Sequence, residues 1–147
     1  MSNENKLKHL EFLHNTINRM SANSFIIKGW VITLLSAIFV LADKQTNQNY
    51  IYLIFIVVPV FWYLNAYFLL QERKFRSLYN DVRIKKENEI DFSMNVSSYK
   101  NGKNKIKKCF WASSIWPLYI FLFIIALIVT LDFNSNKITI LFSTIFK

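Results

Sequence analysis

From Gln45 to Gln71 the chain carries no charged residue, and the stretch Tyr50–Leu70 alone is long enough to cross a bilayer as a helix. A second uncharged block, Cys109–Leu131, runs for 23 residues. Two such blocks in 147 residues leave little for a soluble core to be built from, because a fold of this size buries only a limited share of its surface. Hydrophobic residues at 53% and aromatics at 17% point the same way. The expected fold is therefore all-α. It is an integral membrane protein with about three transmembrane helices, an N-terminal amphipathic helix and a cytoplasmic helical extension, forming a single membrane domain over 1–147.

The first span reads as 24–42. Its uncharged part, Gly29–Ala42, is short, so Phe25, Ile26, Ile27 and Lys28 must join it to cross. The Lys28 stem can reach back to the headgroups. The second span is 50–70, where Pro59 predicts a kink, and the third is 109–131, with Pro117 near its start. No cleavable leader is expected, since the first apolar block follows a long polar stretch and lacks a small-residue cleavage site. The apolar tail 138–146 is too short to cross and reads as a re-entrant or interfacial segment. Upstream, Leu7, Leu10, Leu13, Ile17 and Met20 recur at three- and four-residue steps, which predicts an amphipathic helix over 3–20. It can lie on the membrane, rest against a cytoplasmic neighbour, or form an oligomerising coil.

The net charge of +9 is unevenly placed. Four Lys or Arg stand before or within segment one and eleven between segments two and three, against three elsewhere (Lys44, Lys137 and Lys147). Positive residues stay inside. The N-terminus and the basic region 71–108 are accordingly expected in the cytoplasm of a bacterial cell, with the turn at 43–49 and the C-terminus outside. Trp30, Trp62, Tyr67 and Trp111 near the inner ends and Tyr50 and Tyr52 near the outer end suit this frame.

None of the nine acidic residues lies within an apolar block, which argues against a proton-coupled exporter. The polar residues there are uncharged. Gly29, Thr33 and Ala37, spaced by four, form a small-residue face. With Ser36 and with Asn65 of segment two they are candidates for a helix interface or a pore lining. Three spans cannot enclose a pore alone, so a channel requires a homo-oligomer.

No Gly or Pro interrupts Val60–Asn101, so segment two is expected to continue as one helix into the cytoplasm. Phe75, Leu78, Tyr79 and Val82 make an apolar stripe on it. Arg73, Arg76 and Arg83 fall on another face, and with Lys86 they are candidate ligand-binding residues. One reading is topology signalling with attraction to anionic lipid. The other is a site for a phosphate-bearing ligand, for which the arginine fork is suited. The second basic run, Lys100–Lys108, reads as a flexible loop returning to segment three. Catalytic residues, cofactors and metal ligands are not expected, there being no phosphate cradle, catalytic triad or metal cluster in the sequence. His9 and His14 read as solvated, and the lone Cys109 as a packed thiol.

Two stretches, Asn18–Trp30 (NRMSANSFIIKGW) and Phe61–Arg83 (FWYLNAYFLLQERKFRSLYNDVR), carry a resemblance over about a quarter of the chain. They resemble small bacterial multi-pass membrane effectors of nucleotidyltransferase-linked antiphage defence, of the Hailong or CBASS type. The resemblance implies an inner-membrane ion channel that depolarises the cell in abortive infection. Its control would fall to an oligonucleotide made by a nucleotidyltransferase partner, with no role for duplex nucleic acid. The competing expectations are a ligand-independent holin-like or toxin-like pore and a membrane anchor or scaffold without a pore.

Overall fold

The computed structural model describes residues 4–42 and 48–145, with 133–145 given as helix backbone. The described residues contain helices and no strand, an all-helical fold. Four α-helices follow in order: α1 (Glu4–Leu41), α2 (Ile54–Ile84), α3 (Ile106–Phe110) and α4 (Trp116–Ile145). A 3-10 turn (Gln48–Leu53) leads into α2, so the first turn of the expected second span is 3-10 rather than α. Of the turn expected at 43–49, residues 43–47 lie outside the described residues.

One correction concerns α1. The amphipathic helix expected over 3–20 and the span expected over 24–42 are a single helix of 38 residues, about 57 Å long at 1.5 Å per residue. No proline stands between Glu4 and Leu41, and Gly29 alone does not break a helix that is packed along its length. Composition changes near residue 24 while the backbone continues. α2 runs antiparallel beside α1 and is likewise unbroken for 31 residues. It contains Pro59 and continues past the apolar span, but it ends at Ile84, although neither Gly nor Pro interrupts the chain before Gly102. At its far end Lys6 of α1 donates from Nζ to the carbonyls of Arg83 (3.1 Å) and Lys85, closing carbonyls that the last turn of α2 leaves open.

Two cores separate along this hairpin. In the apolar half, Val31, Leu35 and Ile38 of α1 are buried with Ile54, Val58 and Ala66 of α2 and with Ile115, Tyr119 and Ala126 around α4. In the polar half, Leu13 of α1 is buried with Leu78 and Val82 of α2 and with Ile90, while Leu10, Phe75 and Tyr79 pack against them. The stripe Leu10, Leu13 and Ile17 thus meets the neighbouring helix of its own chain, and Leu7 stays 64% exposed. We call this second half, residues 4–23 and 71–84, the stem.

The segment 85–105 is strapped to the stem, and the run Lys100–Lys108, expected as a flexible loop, is partly held by it and partly folded into α3. Tyr99 donates to Asp81 Oδ2 (2.8 Å), Asn104 Nδ2 donates to Ser77 Oγ (3.0 Å), and Arg73 Nη1 donates to the carbonyl of Lys103 (3.1 Å). Ile90 and the partly buried Val96 supply the apolar contacts.

The third apolar helix also begins later than expected. Residues 111–115 form turns between α3 and α4. Pro117 favours the break: its ring would crowd the carbonyl four residues earlier, Ser113, in a helix run through from Cys109, and a start at Trp116 avoids that clash. In the first turn of α4 the missing N–H costs nothing. At the other end α4 continues through 138–145, so the tail is an extension of α4 and no reversal makes it re-entrant.

Two helical stretches, Glu4–Leu41 and Asn49–Ile84, are long and apolar enough to cross a membrane, while the apolar part of α4, Trp116–Asp132, is shorter.

Candidate functional site: the basic stem and the buried polar hub

The four basic residues singled out on α2 and just beyond it do not converge. Arg73 turns toward α3, reaching Lys103 O and, at 3.6 Å, Cys109 Sγ, so it anchors the returning segment. Cys109 is fully buried there, a packed thiol. Arg76 faces the other way, toward α1, and pairs through Nε with Glu72 Oε1 at 2.8 Å. Arg83 is exposed at the end of α2, and Lys86 is exposed just beyond it, where its backbone N–H meets Glu89. On a helical wheel Arg76 and Arg83 are about 20° apart and Arg73 stands about 60° or more away from both, which is enough to divide their roles.

Arg76 lines a groove of about 320 Å³ between α1 and α2, together with His14, Ile17, Asn18, Tyr79 and Asn80. His14 and Asn18 are one turn apart on α1, and Arg76 and Asn80 one turn apart on α2. Sequence reasoning missed His14, Asn18 and Asn80. The paired i, i+4 spacing was visible in the sequence, but which faces of the two helices meet was not.

His9 is 5% exposed, a correction to its reading as solvated. Phe92, held at φ 55°, stands edge-on over the imidazole with ring centroids 5.6 Å apart. His9 Nε2 is buried with no hydrogen-bond partner, and burial lowers the His9 pKa against the raising effect of Asp91. The Tyr99–Asp81 bond holds the Asp81 carboxyl below its ordinary value. Burial first, and then that carboxylate, push the Tyr99 phenol up to about 12.

In the apolar half, Gly29, Thr33, Ser36 and Ala37 are all exposed, on a face of α1 left uncovered among the described residues. Thr33 and Ser36 bond back to the carbonyls of Gly29 (3.1 Å) and Ile32 (2.9 Å). Asn65 is not part of that face. It is fully buried and joins three segments: Ser24 of α1 donates to Asn65 Oδ1, Asn65 Nδ2 donates to Tyr119 OH (3.2 Å), and Tyr119 donates to the carbonyl of Phe61 (3.2 Å). Trp62 stacks on Tyr119 at 5.8 Å with planes 1° apart, and its Nε1 donates to Phe110 O (3.2 Å). Every donor in this chain of bonds has an acceptor, which is what a polar group in an apolar bundle requires.

Among the described residues no three His, Cys, Asp or Glu side chains gather to hold a metal ion. No known family matches the chain, and no curated protein or solved structure is similar to it.

Proposed function

We propose that this chain is a three-span bacterial inner-membrane protein whose copies assemble into an ion channel, controlled by an oligonucleotide ligand and depolarising the membrane in antiphage defence. The observation that carries the reading is continuity: α1 and α2 each pass unbroken from an apolar span into the basic stem. A ligand that prefers one arrangement of the stem therefore biases the spans directly. The membrane setting is supported by exposure. Only 22% of either apolar window is buried within the chain, and Phe25, Val40, Ile56 and Phe121 are left bare, where the core helix of a soluble fold would be covered. Apolar residues of α4 complete the third span at about 25 Å, the lower end of what crosses. The defence role and the oligonucleotide rest on the resemblance of Asn18–Trp30 and Phe61–Arg83. A pore-free anchor is the second reading, favoured by the exposed Phe12 on the stem and Phe92 and Met94 on the segment strapped to it, which would suit a protein partner. Conductance of proteoliposomes with and without oligonucleotide separates the two: a ligand-dependent current supports the channel, and no current under any condition leaves the anchor.

Orientation is tested by an impermeant thiol reagent on intact spheroplasts in a Cys109→Ser background. Gln45→Cys should label and Asn101→Cys should not; Asn101 is chosen because neighbouring Gly102 holds φ +61°, a conformation that strains other residues. The reverse pattern overturns the topology.

Assembly is tested at Gly29. A Cβ there would meet nothing within 4 Å, so Gly29→Leu leaves the protomer fold intact and any effect reports on neighbouring copies. We expect Gly29→Leu and Ala37→Leu to shift native mass spectra toward smaller assemblies, because bulk on this face holds helices apart. Unchanged assembly and conductance in both remove this face from the interface.

A further inference from the structure

We propose that the stem groove formed by His14, Asn18, Arg76 and Asn80 is a binding site for the phosphate group of an anionic ligand. The inference deepens the ligand-gated reading and rests on it for the link to conductance, while binding is measured separately. Four polar side chains from two helices surround one opening, with Ile17 and Tyr79 completing its lining. No hydrogen bond within the described residues engages the side chains of His14, Asn18 or Asn80. The ion pair of Arg76 uses Nε, which leaves the terminal guanidinium nitrogens for a phosphate oxygen. Glu72 is 13% exposed and Arg76 is 59% exposed, so the carboxylate sits inward and steadies an arginine that reaches outward. An arginine fork flanked by two amides matches a phosphate, whose oxygens accept several bonds at once. The groove, at about 320 Å³, has room beyond the phosphate for the group it is esterified to.

The position allows two sources of that phosphate. Asn18 lies six residues before Ser24, and Arg76 six after Leu70, so the groove stands about 9 Å beyond the apolar segments. That is at the outer edge of the headgroup layer, roughly 5–8 Å thick. A soluble nucleotide and a lipid headgroup can both enter.

The probes are pyrophosphate and a 5′-phosphorylated trinucleotide, titrated calorimetrically into the full chain in neutral phosphatidylcholine nanodiscs. We expect saturable binding that Arg76→Gln weakens about tenfold, equivalent to about 1.4 kcal/mol, and that Asn80→Leu weakens severalfold. Both side chains are exposed, so the variants should fold. The double variant Lys103→Gln/Lys105→Gln removes more charge elsewhere and should change affinity less than about twofold. Repeating the titration in phosphatidylglycerol nanodiscs assigns the source. Competition that disappears with Arg76→Gln marks the headgroup phosphate as an occupant, and its absence leaves the soluble phosphate; either outcome keeps the site. No saturable binding, an unaffected Arg76→Gln, or an equal loss in the lysine variant overturns it. Phosphate binding without any conductance would instead retain the groove and defeat the channel.

Discussion

Replacing Asn65 by Leu should loosen the helical bundle by about 2 kcal/mol, the largest loss expected from a single substitution in its apolar half. The amide accepts from Ser24 and donates to Tyr119 while fully buried, so a leucine side chain orphans a group on each of two neighbouring segments. An unmet buried polar group costs about 1–3 kcal/mol, and measured interhelical hydrogen bonds in membranes average about 0.6 kcal/mol. Relief moderates the loss. Tyr119 keeps its bond to Phe61 O, and the Ser24 hydroxyl can turn to a carbonyl of its own helix. Unfolding by denaturant in micelles, followed by near-UV circular dichroism from the Trp62–Tyr119 stack, measures the change. The mechanism makes a sharper demand through a double-mutant cycle. Ser24→Ala should cost several tenths of a kcal/mol in the parent and almost nothing in the Asn65→Leu background. Equal costs in both backgrounds would mean that the Ser24–Asn65 bond contributes nothing.

The helical class, the continuation of segment two beyond its apolar part and the packed stripe Phe75, Leu78, Tyr79 and Val82 were legible in the sequence, while the end of that helix at Ile84, with neither Gly nor Pro to mark it, was not. Periodicity and the absence of charge report directly on which side chains avoid water. The division of α1 into two helices was a misreading of a change in surroundings as a change in backbone. Between Glu4 and Leu41 nothing supplies a stop signal, whatever the side chains face. At α4 the opposite error occurred. The helix starts at Trp116, where Pro117 sits in the first turn and its ring meets no carbonyl of a preceding turn, while Pro59 is carried inside α2 without a break. What no periodicity could give is the pairing of faces. Asn65 was open to a helix interface or a pore lining until the antiparallel register set it beside Ser24 and the fold brought Tyr119 to its other side, an interface within the chain. Arg73 looked equivalent to Arg76 until the strap from residues 85–105 claimed it. His14 and Asn18 became candidates only because α1 continues alongside the stem portion of α2.

Leu13→Ala should cut the stem loose while sparing the spans. Leu13 is fully buried against the cluster of Leu78, Val82 and Ile90, where truncating a leucine costs about 2–5 kcal/mol. The stem is a small core with few other apolar contacts, so a loss of that size is a large fraction of what holds its two helices and the strap together. The apolar cluster around Val58 and Tyr119 shares no buried residue with it, and damage should stay local. Trypsin is expected to cut the variant rapidly at Lys8, Arg19 and Arg83 while the near-UV signal of the Trp62 stack persists. If the stem carries the ligand signal, proteoliposomes of Leu13→Ala should lose the response to oligonucleotide and keep the same conductance with and without it. Parallel loss of the near-UV signal would mean that stem and spans form one cooperative unit. A retained oligonucleotide response in a stem that trypsin opens would show that control of the channel does not pass through the α1–α2 packing.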